Sequence, residues 1–219
     1  MKALVKVILI IGLCFAATFL AIKATGALTV EQIDGWLTQA RQLSPLYVGA
    51  LVAALLLADL FIAMPTLTVT ILAGFFLGHA YGATAALAGL MLAGVCGYVV
   101  GWRFGEPVLA FLVKDAAERE SAKTLFRQRG FVMILLARAV PILPEVTACL
   151  AGMTGMPFRR FILAWSLSSA PYALIAAYAG SVSSLENPQP AILAAIGISG
   201  VLWTGWYVFR RRGPNRQVA

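Results

Sequence analysis

Three ionisable side chains interrupt apolar stretches of this chain. Asp59 lies in Leu57-Ala58-Asp59-Leu60-Phe61, Arg138 in Leu135-Leu136-Ala137-Arg138-Ala139-Val140-Pro141, and Glu145 directly follows Pro144. An arginine in hydrocarbon costs at least ~2.5–3.5 kcal/mol, so something must compensate it. The compensation is a bound anionic headgroup, a part in proton coupling, a structural ion pair with Glu145 or Asp59, or snorkelling to the interface. Burial favours the neutral form of a carboxyl, which lets Glu145 titrate and switch its pairing with Arg138. Its other reading is a cap on the short helix after Pro144, stabilised by the helix dipole. Asp59 is the only charge between Arg41 and Arg103. It reads as a proton or cation site, a partner of Arg138, or a residue nearer the interface. Arg159 and Arg160 open a later apolar run and suit orientation or phospholipid-headgroup contact.

The elements that position these charges follow from composition. Of 219 residues, 61% are hydrophobic and 12% charged, and the mean hydropathy is +0.87. That charged share is about half the usual one for soluble domains, and so much apolar surface requires lipid as solvent. The apolar runs are continuous and rich in Ala, Leu and Gly rather than alternating, so the spans are helical and the fold class is all-α integral membrane. The net charge of +8 fits cytoplasmic Lys and Arg. No basic stripe interleaved with aromatics marks a nucleic-acid binder. Cys14, Cys96 and Cys149 sit in apolar runs without a C-x-x-C, and His79 is the single histidine, so neither a disulfide framework nor a histidine-built metal site is expected. No cofactor motif or nucleophile–base pair is present, and the expectation is a non-enzyme.

Along the chain, Lys2 and Lys6 precede a run that resembles a signal peptide. No A-x-A site follows, and an uncleaved span from about Leu4 to Ile22 is preferred. Thr29 to Ser44, with Val30, Ile33, Trp36, Leu37 and Ala40 at helical spacing, reads as an interfacial helix. Leu46 to Met64 is broken by Pro65, and Thr66 to Gly78 is about 20 Å of helix, too short for a hydrocarbon core of about 30 Å. This pair reads as a re-entrant hairpin. Ala83 to Trp102 is a full span, and Glu106 to Arg129 is an amphipathic interfacial helix with a loop. Phe131 to Val140, broken by Pro141 and Pro144 and followed by Thr147 to Gly155, is a second hairpin. Phe158 to Gly180 and Ala191 to Phe209 are full spans, and a basic tail, Arg210, Arg211, Arg212 and Arg216, closes the sequence.

With the N-terminus inside, 14 of the 17 Lys and Arg fall on the inner side, Lys23 and Arg41 on the outer, and Arg138 in the membrane, which supports that orientation. Each half then reads hairpin, then span, in opposite senses, with Leu72-Ala73-Gly74 after Pro65 matched by Leu150-Ala151-Gly152 after Pro144. Inverted repeats whose broken helices meet at mid-membrane are a recurring transporter plan. Two glycine ladders, Gly74/Gly78/Gly82 and Gly97/Gly101/Gly105, suit close helix packing and permit a homodimer.

The order Pro65–Gly82, Gly97-Tyr98-Val99-Val100-Gly101-Trp102-Arg103-Phe104-Gly105, Arg138-Ala139-Val140-Pro141-Ile142-Leu143-Pro144, Ala151-Gly152 and Phe158–Phe161 resembles the DedA superfamily, also called the VTT-domain or SNARE-associated Golgi protein family. The bacterial branch similar to yeast Tvp38 is the nearer likeness. The resemblance implies two opposed re-entrant hairpins with flanking spans, a bacterial inner-membrane location and lipid translocation. Eukaryotic members are scramblases, and bacterial ones are linked to undecaprenyl phosphate or phosphatidylethanolamine with dependence on the proton motive force. It carries the hairpin arginine to Arg138 and, more loosely, a first-hairpin acid to Asp59. The better-known bacterial members have a second arginine six residues after the first, where this chain has Pro144, and an acid two residues after the hairpin proline, where it has Leu67.

The expectations are therefore these. Residues 1–44 form a first transmembrane helix and interfacial segment, 45–182 a VTT-like membrane domain, and 183–219 a last helix and basic tail. The whole has about four full spans and two opposed re-entrant hairpins, with both termini cytoplasmic. Pro65, Gly74, Gly78, Pro141, Pro144 and Gly152 break and pack the hairpins. Arg138, Arg159 and Arg160 bind substrate, while Asp59 and Glu145 couple protons or pair with Arg138. The expected function is a phospholipid or polyprenyl-phosphate flippase or scramblase. The alternatives are a proton-coupled solute or ion transporter and a non-transporting membrane scaffold.

Overall fold

Breakers in the sequence mark several of the helix ends, although Pro107 and Pro171 lie inside helices. The computed structural model describes residues 13, 44–62, 65–112, 114–138, 142–183 and 189–211. The first-span expectation (Leu4–Ile22), the interfacial segment up to residue 43, Cys14, Pro141 and the tail beyond Arg211 lie outside the described residues. Helix α1, Pro45–Ile62, opens on a proline, whose missing N–H costs nothing in a first turn. Helix α2, Thr66–Leu112, starts directly after Pro65 and leaves helical geometry at Gly78, with φ 77 and ψ 173, a conformation that glycine alone adopts readily. Segments 66–77 and 79–112 are thus two arms of one element, which agrees with the sequence expectation of a short arm ending at Gly78.

Helix α3, Ala116–Ala137, is capped by Asp115, whose carboxylate accepts from the Ala117 N–H at 3.0 Å. It stops at Arg138. After a turn with Ile142 in left-handed geometry, helix α4, Leu143–Met153, begins with Pro144 in its first turn. Gly155, at φ 66, turns the chain into α5, Phe158–Ser181. Helix α6, Gln189–Arg211, follows.

The boundaries between Trp102 and Val140 differ from the sequence expectation. Helix α2 continues through Pro107 to Leu112, and the amphipathic segment joins the apolar arm as one helix, α3. The Asp115 cap moves the helix start, and between 116 and 137 there is no proline, Gly130 being the weakest helix former. Phe126, near the end of the amphipathic segment, is fully buried. Among the described residues, two helical stretches are long and apolar enough to cross a membrane, Thr66–Gly105 (which includes the Gly78 kink) and Phe158–Ser181, and Pro45–Leu60, Leu143–Met153 and Ile192–Gly205 are shorter apolar helices.

Two apolar cores result. One gathers Val48, Val52, Leu55 and Leu56 of α1 with Val69, Ala73, Ala86 and Leu90 of α2 and Tyr172 of α5. The other gathers Phe126 and Ile134 of α3 with Val146 and Leu150 of α4 and Phe161 and Trp165 of α5. The same contacts occur twice, 78 or 79 positions apart. Gly74 lies against the Ala177 backbone and Gly180 against Ile71, while Gly152 lies against the Tyr98 backbone and Gly101 against Cys149. The arm 66–77 thus packs on the end of α5 just as α4 packs on the second half of α2.

Candidate functional site

Arg138 ends α3, and α5 supplies its surroundings. On α5 the residues Phe158, Phe161, Trp165, Ser169 and Tyr172 recur at steps of three and four, which places them on one helical face. Arg138 reaches the upper part of that stripe. Its Nη2 donates to Ser169 Oγ at 2.8 Å, and its guanidinium carbon lies 5.5 Å from the Trp165 ring centre and 4.8 Å from that of Tyr172. Ring faces attract a cation, and do so more strongly when water is excluded. Ser169 is wholly buried, and the two rings are nearly so.

The cradle is itself held from outside. The Trp165 indole donates to the Leu90 carbonyl at 2.9 Å, and Gly94 leaves the space that the indole fills. Tyr172 shares a 3.4 Å hydrogen bond with Thr66 Oγ1, in the first turn after the Pro65 break. Trp165 belongs to one core and Tyr172 to the other. The guanidinium therefore sits where the two halves of the molecule meet.

Glu145 and Asp59 are both near enough to Arg138 for their charges to act on it. Glu145 lies in the first turn of α4 and is half-buried. Asp59 is 5% exposed in the last turn of α1. A shift of 79 positions carries Asp59 to Arg138 and Pro65 to Pro144. Opposite charges thus occupy equivalent places, six residues before Pro65 and Pro144.

The VTT-domain family profile matches residues 64–182, more than half of the chain. This protein belongs to the VTT-domain family. The chain is 29% identical over 184 residues to an uncharacterized membrane protein, slr0232, of Synechocystis sp., an alignment covering 74% of this chain and 84% of the relative. No solved structure matches. The matched VTT domain ends at the close of α5, and it contains Arg138, Glu145 and the whole α5 stripe, whereas α1 with Asp59 precedes it.

The other expected residues fall elsewhere in or beside the VTT domain. Arg159 and Arg160 are exposed at the start of α5 and are not brought to Arg138. Arg160 donates instead to the Arg127 and Gln128 carbonyls at 2.8 and 3.3 Å. From Arg160 to Ser169 is about 13 Å along the helix. Pro65 and Pro144 start arms, Gly78 turns the chain, and Gly74 and Gly152 allow backbone contact. The ladder Gly74/Gly78/Gly82 is not one helix face, because the Gly78 kink divides it and Gly82 packs back on Ala73 and Gly74. Gly97, Gly101 and Gly105 do share one face, against Ala148, Cys149 and Met153 of α4. Cys96 and Cys149 are half-buried free thiols. Among the described residues no group of three His, Cys, Asp or Glu could hold a metal. Trp165, Ser169, Tyr172 and Thr66 were not among the residues expected from the sequence. The α5 spacing puts the first three on one helical face, but only the packing of α5 against the end of α3 brings them to Arg138.

Proposed function

We propose that this VTT-domain protein moves a phosphate-bearing lipid, a phospholipid or a polyprenyl phosphate, across a bacterial inner membrane as a proton-coupled flippase or scramblase. In this reading the chain has about four full spans, both termini are cytoplasmic, and two opposed re-entrant hairpins form an inverted repeat. One hairpin is α1 with 66–77, and the other is the end of α3 with α4. Segment 66–77 and α4 are about 18 and 16 Å long, well short of a ~30 Å hydrocarbon core. The contacts repeated 78–79 positions apart support a two-fold plan, and broken helices at such an interface are where transporters bind substrate.

The observation that carries the proposal is Arg138. Its cationic group is kept in an apolar region at the junction of the halves, with rings on two sides and a serine hydroxyl. A guanidinium in that setting can take a phosphate while acyl chains stay in the bilayer. Asp59 and Glu145 are the proposed link to protons: with both charged, the three groups sum to one negative charge and repel an anion, so neutralising either acid favours the headgroup.

The test is movement of a fluorescent-headgroup phospholipid between leaflets of proteoliposomes. The wild type is expected to accelerate it and Arg138→Ala to return it to the protein-free rate, with exposed Arg103→Ala unchanged. Full activity in Arg138→Ala sinks the proposal. Proton-driven uptake of a soluble solute without lipid movement identifies the small-solute alternative instead.

A further inference from the structure

The two halves differ at one repeated contact. In the first half α1 meets α2 at backbone distance, since a Cβ on Gly89 would come within 2.8 Å of Ala53 and Leu56. Shifting by 79 positions carries Gly89 to Ser168 and Leu56 to Leu135. There, between α5 and α3, a side chain spans the seam, with Ser168 Oγ donating to the Leu135 carbonyl at 3.4 Å. A glycine thus closes the first seam, and a serine spaces the second. Pro171 lies inside α5 at the same level and removes the N–H that would bond the Leu167 carbonyl. Arg138, three residues beyond Leu135, is half-buried rather than sealed.

Helix α6 lies over this seam. It touches both α5 and α3. Ile198 packs on the core that contains Tyr172, and a Cβ on Gly205 would lie 3.1 Å from Leu136 Cδ2. Positions 198 and 205 are seven apart and share a face, so one face of α6 meets both the core that includes α5 and the end of α3 next to Arg138. The rest of α6 is lightly held: Gly197 and Gly200 have open space around them, and Ile192, Leu193, Ile196 and Val201 are exposed. The helix lies beyond the matched domain, which ends at residue 182.

We infer that the α3–α5 seam is the lateral portal by which a phosphate-bearing amphiphile reaches Arg138 from the bilayer, and that α6 is its lid. The inference rests on the lipid-transport reading and adds the route. Polar groups between helices in lipid are stable only while shielded by protein or water. The Arg138–Ser169 and Ser168–Leu135 contacts are therefore covered by α6 at rest and open to an incoming headgroup when α6 moves aside.

The experiment uses the full chain with Cys14, Cys96 and Cys149 replaced by serine. Leu136→Cys with Gly205→Cys is joined by a disulfide or the shortest bis-methanethiosulfonate, pinning the lid. Gly49→Cys with Ala85→Cys pins the closed α1–α2 seam as the control, a Cβ on Gly49 lying 3.6 Å from Ala85 Cβ, within disulfide reach. Two readouts are taken in phosphatidylglycerol-containing vesicles: headgroup translocation, and labelling of the protein by phosphatidylglycerol carrying a diazirine near the headgroup, mapped by mass spectrometry. Pinning α6 is expected to lower translocation at least tenfold and to abolish labelling around Leu135 and Ser168. Reduction should restore both, and the control should change neither. Unaltered translocation and labelling in the pinned protein overturn the portal while leaving Arg138-dependent transport standing. If the unpinned protein moves no lipid, the transport reading fails, and the labelling alone decides whether the seam admits an amphiphile.

Discussion

Arg138 is distinguished less by its charge than by what it touches. A lysine would keep the charge but could not present a planar group to the Trp165 and Tyr172 rings while donating to Ser169. Losing that match, at ~1–2 kcal/mol for the stacked and charge-assisted contacts, corresponds to roughly a tenfold effect. Arg138→Lys is therefore expected to translocate headgroups at about a tenth of the wild-type rate. Tyr172→Phe keeps the ring and loses only the 3.4 Å bond to Thr66, so its rate should stay within a factor of about three. Equal rates for Arg138→Lys and the wild type would show that charge alone matters. At this scale the sequence was informative about charges and silent about their setting. Asp59, Arg138 and Glu145 stand out because a charge in an apolar run is costly. Trp165, Ser169 and Tyr172 are ordinary residues for an apolar helix, and their role comes from the register between α5 and the end of α3, which only tertiary structure fixes.

Helices in this molecule meet through glycine at the repeated contacts. Gly152 and Gly180 leave no room for a Cβ, which would run into the Tyr98 and Ile71 carbonyls. Gly152→Val and Gly180→Val should each cost ~3 kcal/mol, an upper figure for overpacking, and lower the detergent-solubilised melting temperature by on the order of 10 °C. Gly200→Ala fills open space on α6 and adds helix propensity, so it should leave the melting temperature unchanged or slightly raised. A uniform response of the three variants in a thermal-shift series would contradict this packing scheme. Breakers were legible in part: Pro65 precedes α2, Gly78 kinks it, and Pro144 sits in the first turn of α4, just after the turn at Ile142. The continuity of α3 was not, because the polar stretch up to Arg129 has the composition of a separate surface helix while Phe126 within it is buried.

For the whole molecule, the two halves share a contact plan but not a charge. The letters repeated between them are few, chiefly Leu-Ala-Gly after each break, and in a chain rich in these residues they carry little weight. The paired glycine contacts and the Asp59–Arg138 equivalence give the repeat its physical content. Because Asp59 and Glu145 each oppose an incoming anion at Arg138, Asp59→Asn and Glu145→Gln should each change the rate of headgroup movement by several-fold. Rates identical in both variants and the wild type would separate these acids from the transport step. The most direct measurement is the rate of headgroup movement in proteoliposomes for wild type and Arg138→Ala side by side. A wild-type rate well above the protein-free level, together with an Arg138→Ala rate held at that level, is the predicted result; an Arg138→Ala rate equal to the wild type would contradict the assignment of Arg138 as the headgroup site.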